Sequence, residues 1–157
     1  MAIHLKNQQR SKSLNLRRVR KDLTAALSLL GRGETELSIL FVGSARMKRL
    51  NTVYRGIPKE TDVLSFPMTE GTSYRSHGPQ TGSGRVQPSV LGDIVISVPK
   101  TLRQSREYGT TFHDELRRLL IHGLLHLLGF DHEKSRYRKG KMEKKEKEVL
   151  HAVARLD

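Results

Sequence analysis

Three histidines, His122, His126 and His132, stand at a spacing that can bind one metal ion. His122 and His126 are four residues apart, so on a helix they share one face, with Cβ atoms roughly 6 Å apart. On a continuous helix His132 would be turned about 240° away and displaced roughly 9 Å. Gly129 can adopt a left-handed conformation that ends the helix and returns the chain. The alternative is a set of ordinary packed or surface histidines, but Gly129 and the third histidine favour a metal site.

The chemistry of such a site follows from its ligands. Three protein nitrogens leave one position of a tetrahedral metal open, which is typical of catalytic zinc rather than structural zinc. The spacing matches that of metzincin proteases, which place a glutamate directly after the first histidine as general base. This chain has Gly123 there, so peptide hydrolysis is disfavoured. A bound metal lowers the pKa of its water to about 7 and polarises phosphoryl oxygens, so phosphodiester cleavage is the better hypothesis.

The charge of the chain agrees with a phosphate substrate. Lysine and arginine number 29 against 16 acidic residues, a formal net charge of +13. Residues 1–21 carry seven basic residues and no acid, and residues 134–147 carry eight basic residues against Glu143 and Glu146. Each run alone is equally compatible with a solvated helix face. Together, beside a metal site, they favour binding to nucleic acid.

Composition limits the remaining classes of protein. A length of 157 residues predicts a single domain, 1–157. The absence of cysteine excludes disulfides and thiolate metal ligands. No apolar run approaches the roughly 18 residues of a membrane span, and the amino-terminal segment lacks the apolar core of a signal peptide. We therefore expect a cytoplasmic protein with no membrane contact.

Hydrophobic periodicity predicts an alternation of strands and helices around the histidines. The predicted strands are 2–7, 36–42, 61–66 and 91–98, and the predicted helices are 16–30, 44–54, 99–108, 111–128 and 135–155. Residues 69–90, rich in glycine, serine and proline, are predicted to form a flexible loop. On the histidine helix, His113 lies about 180° from His122, so we exclude it as a ligand.

Three segments in this order resemble the YbeY family of bacterial rRNA maturation factors. They are Asn-Thr-Val-Tyr-Arg-Gly at 51–56 leading to Thr-Asp-Val-Leu-Ser-Phe-Pro at 61–67, then Leu-Gly-Asp-Ile-Val-Ile-Ser at 91–97, and the histidine motif at 122–132. The resemblance implies an α+β domain, a mixed sheet of about four strands surrounded by about five helices. The metal site would lie on a central helix and the turn that follows it.

The resemblance also implies a function. It implies a single-strand-specific endoribonuclease in small-subunit rRNA maturation and ribosome quality control, with one zinc ion, or another divalent transition metal, held by His122, His126 and His132. Its partners would be RNA, small-subunit ribosomal proteins and an assembly GTPase. The alternative is a non-catalytic RNA-binding assembly factor with a structural metal.

Individual residues receive roles on this basis. Arg55 and His122 are the predicted catalytic residues, because a guanidinium matches phosphate geometry and can stabilise the charge of a five-coordinate phosphorus. The predicted RNA-binding residues are Arg55, Lys134, Arg136, Lys144 and Lys145.

The acidic residues near these motifs are predicted to support the site rather than to perform chemistry. Asp131 either orients an imidazole or shapes the turn. Asp62 and Asp93 are expected to fix loop backbone rather than perform chemistry. No general base is apparent, which leaves metal-bound hydroxide and the RNA 2′-hydroxyl as alternative nucleophiles.

Overall fold

One mixed sheet forms the centre of the fold in the computed structural model, which describes residues 2–68, 89–130 and 135–157. Its described strands are β1 (Ala2–Gln8), β2 (Thr35–Val42), β3 (Val63–Pro67) and β4 (Ser89–Ser97). Their order is β1-β2-β4-β3, with β1, β2 and β4 parallel and β3 antiparallel to β4. Both β1 and β3 are therefore edge strands, and the predicted mixed sheet is confirmed.

Five helices of the described residues surround the sheet, in agreement with the sequence prediction. They are α1 (Leu16–Leu29), α2 (Ser44–Arg55), α3 (Val98–Glu107), α4 (Phe112–Leu127) and α5 (Arg136–Ala154). Their ends follow local signals: the side chains of Thr111 and Ser135 accept hydrogen bonds from the backbone amides three residues later, as helix N-caps do. No helix in the described part of the chain is long and apolar enough to cross a membrane.

The two faces of the sheet are covered unequally. Helices α1, α4 and α5 share the larger core with the inward side chains of β2 and β4, such as Ile39 and Ile94. Helix α2 packs on the opposite face, where Met47 meets Leu64 and Val95 in a smaller cluster. Because α4 packs in the centre of the larger core, most of its side chains are buried and their positions are fixed by packing.

The observed bounds differ from the predicted ones by one or two residues at each strand, and two of these differences concern the loop and a proline. Strand β4 begins at Ser89, so the last two residues of the predicted loop 69–90 belong to a strand, and 69–88 lie outside the described residues. Strand β3 runs to Pro67, one residue beyond the predicted strand 61–66. Proline lacks an N–H but is tolerated at the end of an edge strand, where one side of the backbone needs no partner.

Candidate active site

One line of accessible side chains runs along α4. Within 115–127, a stretch that the structure describes in full, every residue is buried except Arg118, His122 and His126. These three are four residues apart and therefore share one helix face. The other residues of this stretch are buried, so the solvent-accessible polar groups of 115–127 are confined to this line.

The two histidines of this line converge. Their Nε2 atoms are 3.1 Å apart, and their ring centroids are 4.7 Å apart at an interplanar angle of 67°. Two imidazole nitrogens on one tetrahedral zinc, each about 2.05 Å from it, are separated by about 3.3 Å. The pair therefore fits two positions of such a site, and the prediction that His122 and His126 share a face is confirmed.

Helix α4 ends in the way the histidine spacing requires. Gly129 has φ of 95°, its N–H donates to the His126 carbonyl at 3.0 Å, and the Phe130 N–H donates to the Leu125 carbonyl at 3.0 Å. This pair of bonds is a Schellman motif, which a left-handed glycine closes. The predicted stop at Gly129 is confirmed.

The third predicted ligand is not placed. His132 lies outside the described residues, as do Asp131 and Lys134. In the ranges 2–68, 89–130 and 135–157, no group of three or more histidine, aspartate or glutamate side chains is arranged to hold a metal ion. The three-histidine site therefore remains a prediction, supported by the geometry of two of its members.

Gly123 separates this site sterically from a protease site. A Cβ built on Gly123 would lie 3.1 Å from Ile94 Cγ2 and 3.2 Å from Ser65 Oγ, because α4 approaches the sheet closely at this point. Ser65 Oγ also donates to the Gly123 carbonyl at 3.3 Å. The position after His122 faces the sheet and not the histidine pair. A glutamate there would have neither room nor access to a metal-bound water.

His122 has a partner that the sequence analysis did not identify. Its Nδ1 atom is 3.2 Å from Glu146 Oε1 on α5, and both side chains are partly buried, 24% and 15% exposed. The sequence offered no signal for this pair, since Glu146 stands among lysines in a basic run. His113, which we excluded as a ligand, instead contacts Asp22 Oδ2 on α1 at 2.8 Å.

Arg118, one turn before His122, is held by a buried carboxylate. Glu115, only 2% exposed, accepts from Arg118 Nε at 2.6 Å and from Nη2 at 2.9 Å. The hydrogen bond with Glu115 is the main cause of a raised pKa at Arg118, and the charges of Glu146 and Asp62 add to it against the opposing effect of burial. Arg118 is therefore a fixed positive charge beside the histidine pair.

The same network reaches the loop before β3. Gln104 Nε2 donates to Glu115 Oε2 at 2.9 Å and to Asp62 Oδ2 at 3.2 Å. Asp62 Oδ1 in turn accepts from the Val63 amide at 2.7 Å. These bonds agree with the expectation that Asp62 fixes backbone. Asp93 is exposed within β4 and its side chain makes no hydrogen bond in the described part of the chain, so its role stays a prediction.

Arg55 is the last residue of α2 and is exposed. Gly56, with φ of 69°, ends the helix after it, and the chain then leads to β3, which contacts α4 through Ser65. Among the described residues the Arg55 side chain makes no hydrogen bond or ion pair, and no contact joins it to the histidine pair. Its guanidinium is therefore accessible to an added anion.

The predicted RNA-binding lysines and arginine of the carboxyl-terminal run lie on α5. Arg136 is its first residue and Lys144 is exposed. Lys145 is less accessible, because its side chain is 32% exposed and its Nζ lies 3.4 Å from Glu148.

Two basic residues that we did not single out have a more informative position. Arg138 and Lys141, with Tyr137, line a groove of about 420 Å³ beside residues 128–130 at the end of α4. They belong to the same basic run and are three residues apart, and this helical spacing could have indicated that they share one face of α5. Their location places positive charge at the turn that leads towards His132.

A second groove, of about 550 Å³, lies on the sheet face that α2 partly covers. Lys6, Tyr54, Phe66 and Asp93 are among its lining residues, and the rings of Tyr54 and Phe66 meet edge to face with centroids 5.0 Å apart. Neither His122 nor His126 lines this groove, so it is separate from the candidate active site.

Comparison with known proteins gives a consistent result. A family model described as Endoribonuclease YbeY matches residues 4–154. Proteins of that name are similar to this chain, including one from Geobacter sulfurreducens with 36% identity over 96% of this chain and 94% of its own length. Another, from Aquifex aeolicus, has 41% identity over 89% of this chain and 85% of its own. The solution structure of TM1509 from Thermotoga maritima superposes with a TM-score of 0.63 and 25% identity, over 96% of this chain and 88% of that one.

Proposed function

This chain belongs to the endoribonuclease YbeY family, and we propose that it is a zinc-dependent, single-strand-specific endoribonuclease that matures small-subunit ribosomal RNA and acts in ribosome quality control. The observation that carries the proposal is the convergence of His122 and His126, with Nε2 atoms 3.1 Å apart, on the accessible line of an otherwise buried helix segment. Two imidazole nitrogens at this separation match neighbouring positions of a tetrahedral metal, which supports a site for a cation.

The proposed metal ligands are His122, His126 and His132. When bound, zinc supplies a Lewis acid for a phosphoryl oxygen and lowers the pKa of a coordinated water. The Schellman turn at Gly129 supports the return of His132, since it ends the helix three residues after His126 and changes the direction of the chain. Gly123 favours phosphodiester over peptide substrates, because it leaves no protein carboxylate at the position of the protease base.

The proposed substrate contacts are made by cations around this site. Arg55, accessible and without a partner among the described residues, presents a planar fork that matches two phosphate oxygens. Arg136, Lys144 and Lys145 on α5, with Lys134, would bind the RNA backbone, and Arg138 and Lys141 add charge in the groove at the end of α4. The formal net charge of +13 supports a polyanionic substrate.

The proposed setting is the assembling ribosome. By family resemblance, the proposed partners are small-subunit ribosomal proteins and an assembly GTPase, and the proposed location is the cytoplasm. Single-strand specificity is expected because a metal site at the end of a helix, beside a basic groove, receives an extended strand more readily than a duplex.

Cleavage of labelled RNA tests the proposal. We expect zinc-loaded protein to cut an unpaired oligoribonucleotide and to leave the same sequence intact in a duplex. His122→Ala should abolish cleavage, and Arg55→Ala should reduce it by at least tenfold. In urea unfolding, the free energy of unfolding of both variants should lie within about 1 kcal/mol of the wild-type value. His151→Ala and Arg49→Ala, exposed residues on α5 and α2, are the matched controls and should cut normally.

Two outcomes would contradict this function. Equal cleavage by wild type and His122→Ala would identify a contaminating nuclease. RNA binding without any zinc-dependent turnover would favour the alternative, an RNA-binding assembly factor with a structural metal.

The ends of the products distinguish the two nucleophiles. Attack by the 2′-hydroxyl yields a 2′,3′-cyclic phosphate, whereas attack by water yields no cyclic product under any condition.

A further inference from the structure

We propose that Glu146 is the positioning residue of the metal site. Its carboxylate accepts a hydrogen bond from the Nδ1–H of His122 and so directs the Nε2 lone pair towards the cation. This inference deepens the proposed function and rests on it. It assigns to an acidic residue of the basic helix α5 a role in metal binding that neither composition nor motif suggests.

The contact is direct and supported on both sides. Glu146 Oε1 lies 3.2 Å from His122 Nδ1, with 15% of the Glu146 side chain and 24% of the His122 side chain exposed. On α5, Met142 one turn before Glu146 and Val149 three residues after it are both buried, at 1% and 3% exposure. They anchor this face of α5 in the larger core. The carboxylate therefore reaches His122 from a fixed backbone.

The geometry selects one form of the imidazole. A neutral histidine carries one N–H and one lone pair, and the partner of one nitrogen decides the state of the other. A carboxylate at Nδ1 fixes the proton there, which leaves Nε2 with its lone pair, 3.1 Å from His126 Nε2. Carboxylate partners of this kind orient metal-binding histidines, and their loss typically weakens metal affinity about 10- to 100-fold.

Arg118 brings a fixed cation close to this contact. Its guanidinium is held by Glu115 one turn before His122 on the same helix face, and its charge interacts with that of Glu146. The contact between His122 and Glu146 therefore lies beside a positive charge that α4 itself supplies.

The proposal links the RNA-binding helix to the metal. Lys144 and Lys145 flank Glu146 on one side and Lys147 on the other. The same turn of α5 therefore presents cations outward and the positioning carboxylate inward. Other acidic residues of α5 do not share this position: Glu143 is 55% exposed beside Lys139, and Glu148 is 63% exposed beside Lys145.

Zinc affinity tests the role directly. Zinc binding to the full chain would be measured by competition with a chromophoric chelator for wild type, Glu146→Ala and Glu146→Gln, with Glu143→Ala as the matched control on the same helix. We expect Glu146→Ala to weaken zinc binding at least tenfold. Glu146→Gln keeps a carbonyl oxygen that can accept the Nδ1 proton, so it should restore most of the lost affinity. Glu143→Ala should bind as wild type does.

A spectroscopic measurement separates positioning from folding. Nitrogen-15 NMR of the histidine rings in the metal-free protein should show His122 protonated at Nδ1 in wild type, and a mixture of tautomers in Glu146→Ala. The far-UV circular dichroism of both proteins should be the same. Equal zinc affinity in Glu146→Ala and Glu143→Ala, or an unchanged His122 tautomer, would overturn the inference. If the wild-type protein bound no zinc, both the proposed function and this inference would be refuted. If the wild-type protein bound zinc and the Glu146 variants bound it equally well, only this inference would be refuted.

Discussion

Replacement of Gly123 by glutamate would complete the His-Glu-x-x-His pattern of a metalloprotease, and we expect it to unfold the site rather than create a protease. A Cβ at this position already lies 3.1 and 3.2 Å from two carbons of Ile94 and 3.2 Å from Ser65 Oγ. The rest of a glutamate side chain would have to enter the contact between α4 and the sheet. There its carboxylate would be buried against Ile94 and Ser65, neither of which carries a positive charge.

The magnitude follows from opposing terms. Alanine in a helix is favoured over glycine by about 1 kcal/mol, and shifting Ile94 and Ser65 by a few tenths of an ångström offsets part of this, so Gly123→Ala should change the free energy of unfolding by less than about 1 kcal/mol. Gly123→Glu adds overpacking, about 1–3 kcal/mol, and burial of an unpaired charge, several kcal/mol. Its net loss should exceed about 3 kcal/mol, a large fraction of the stability of a typical domain, roughly 5–15 kcal/mol.

Urea unfolding followed by circular dichroism measures both effects. Gly140 on α5 is the matched control, because a Cβ there meets nothing within 4 Å. Gly140→Ala and Gly140→Glu should be neutral or stabilising by up to about 1 kcal/mol. If Gly123→Glu unfolded at the same urea concentration as Gly140→Glu, α4 would not lie against the sheet as described, and the steric argument against a protease site would be refuted.

Three further predictions concern charged groups elsewhere in the fold. Asp22→Ala removes both oxygens that Arg117 contacts at 3.1 Å in the core, while Arg117 keeps its contacts to Asp157 at 2.8 and 2.9 Å; we expect a loss of about 1–3 kcal/mol in urea unfolding, partly recovered in the double variant with Arg117→Met. Burial raises the pKa of Glu60, but hydrogen bonds, led by that of Ser97, outweigh it and leave the pKa lowered. Its carboxylate therefore stabilises the fold above pH 4.5 and loses this contribution as the pH falls through the lowered pKa; Glu60→Gln should flatten the acid limb of the stability profile, and an unchanged limb would contradict this. Lys144→Glu should weaken binding of single-stranded RNA and reduce its salt dependence by about one to two ion equivalents, as read from anisotropy titrations, and a salt slope equal to that of wild type would exclude Lys144 from the interface.

The features predictable from the sequence are those that local chemistry decides. Helix α4 begins at a threonine cap and ends at Gly129, whose left-handed conformation its sequence position already indicated. The shared face of His122 and His126 follows from helical periodicity alone. The prediction of a mixed, four-stranded sheet came from the family resemblance. The antiparallel position of β3 at the edge depends on tertiary contacts, which local sequence does not determine.

The features that the sequence left open depend on contacts between distant segments. Glu146 lies 24 residues from His122, and their meeting depends on how α5 docks on α4. The packing of Gly123 against Ile94 and Ser65 likewise requires the distance between α4 and the sheet, which no periodicity encodes. The sequence alone shows that glycine, not glutamate, follows His122, whereas the steric reason lies in the packing of α4 on the sheet.

The central claim is that His122, His126 and His132 hold one cation with one coordination position open. X-ray absorption at the zinc K-edge, together with the zinc content of the purified protein, tests it most directly. The account predicts one zinc per chain, bound by three imidazole nitrogens and one further light atom at about 2.0–2.1 Å. Zinc well below one per chain, or a site closed by four protein ligands, would contradict it.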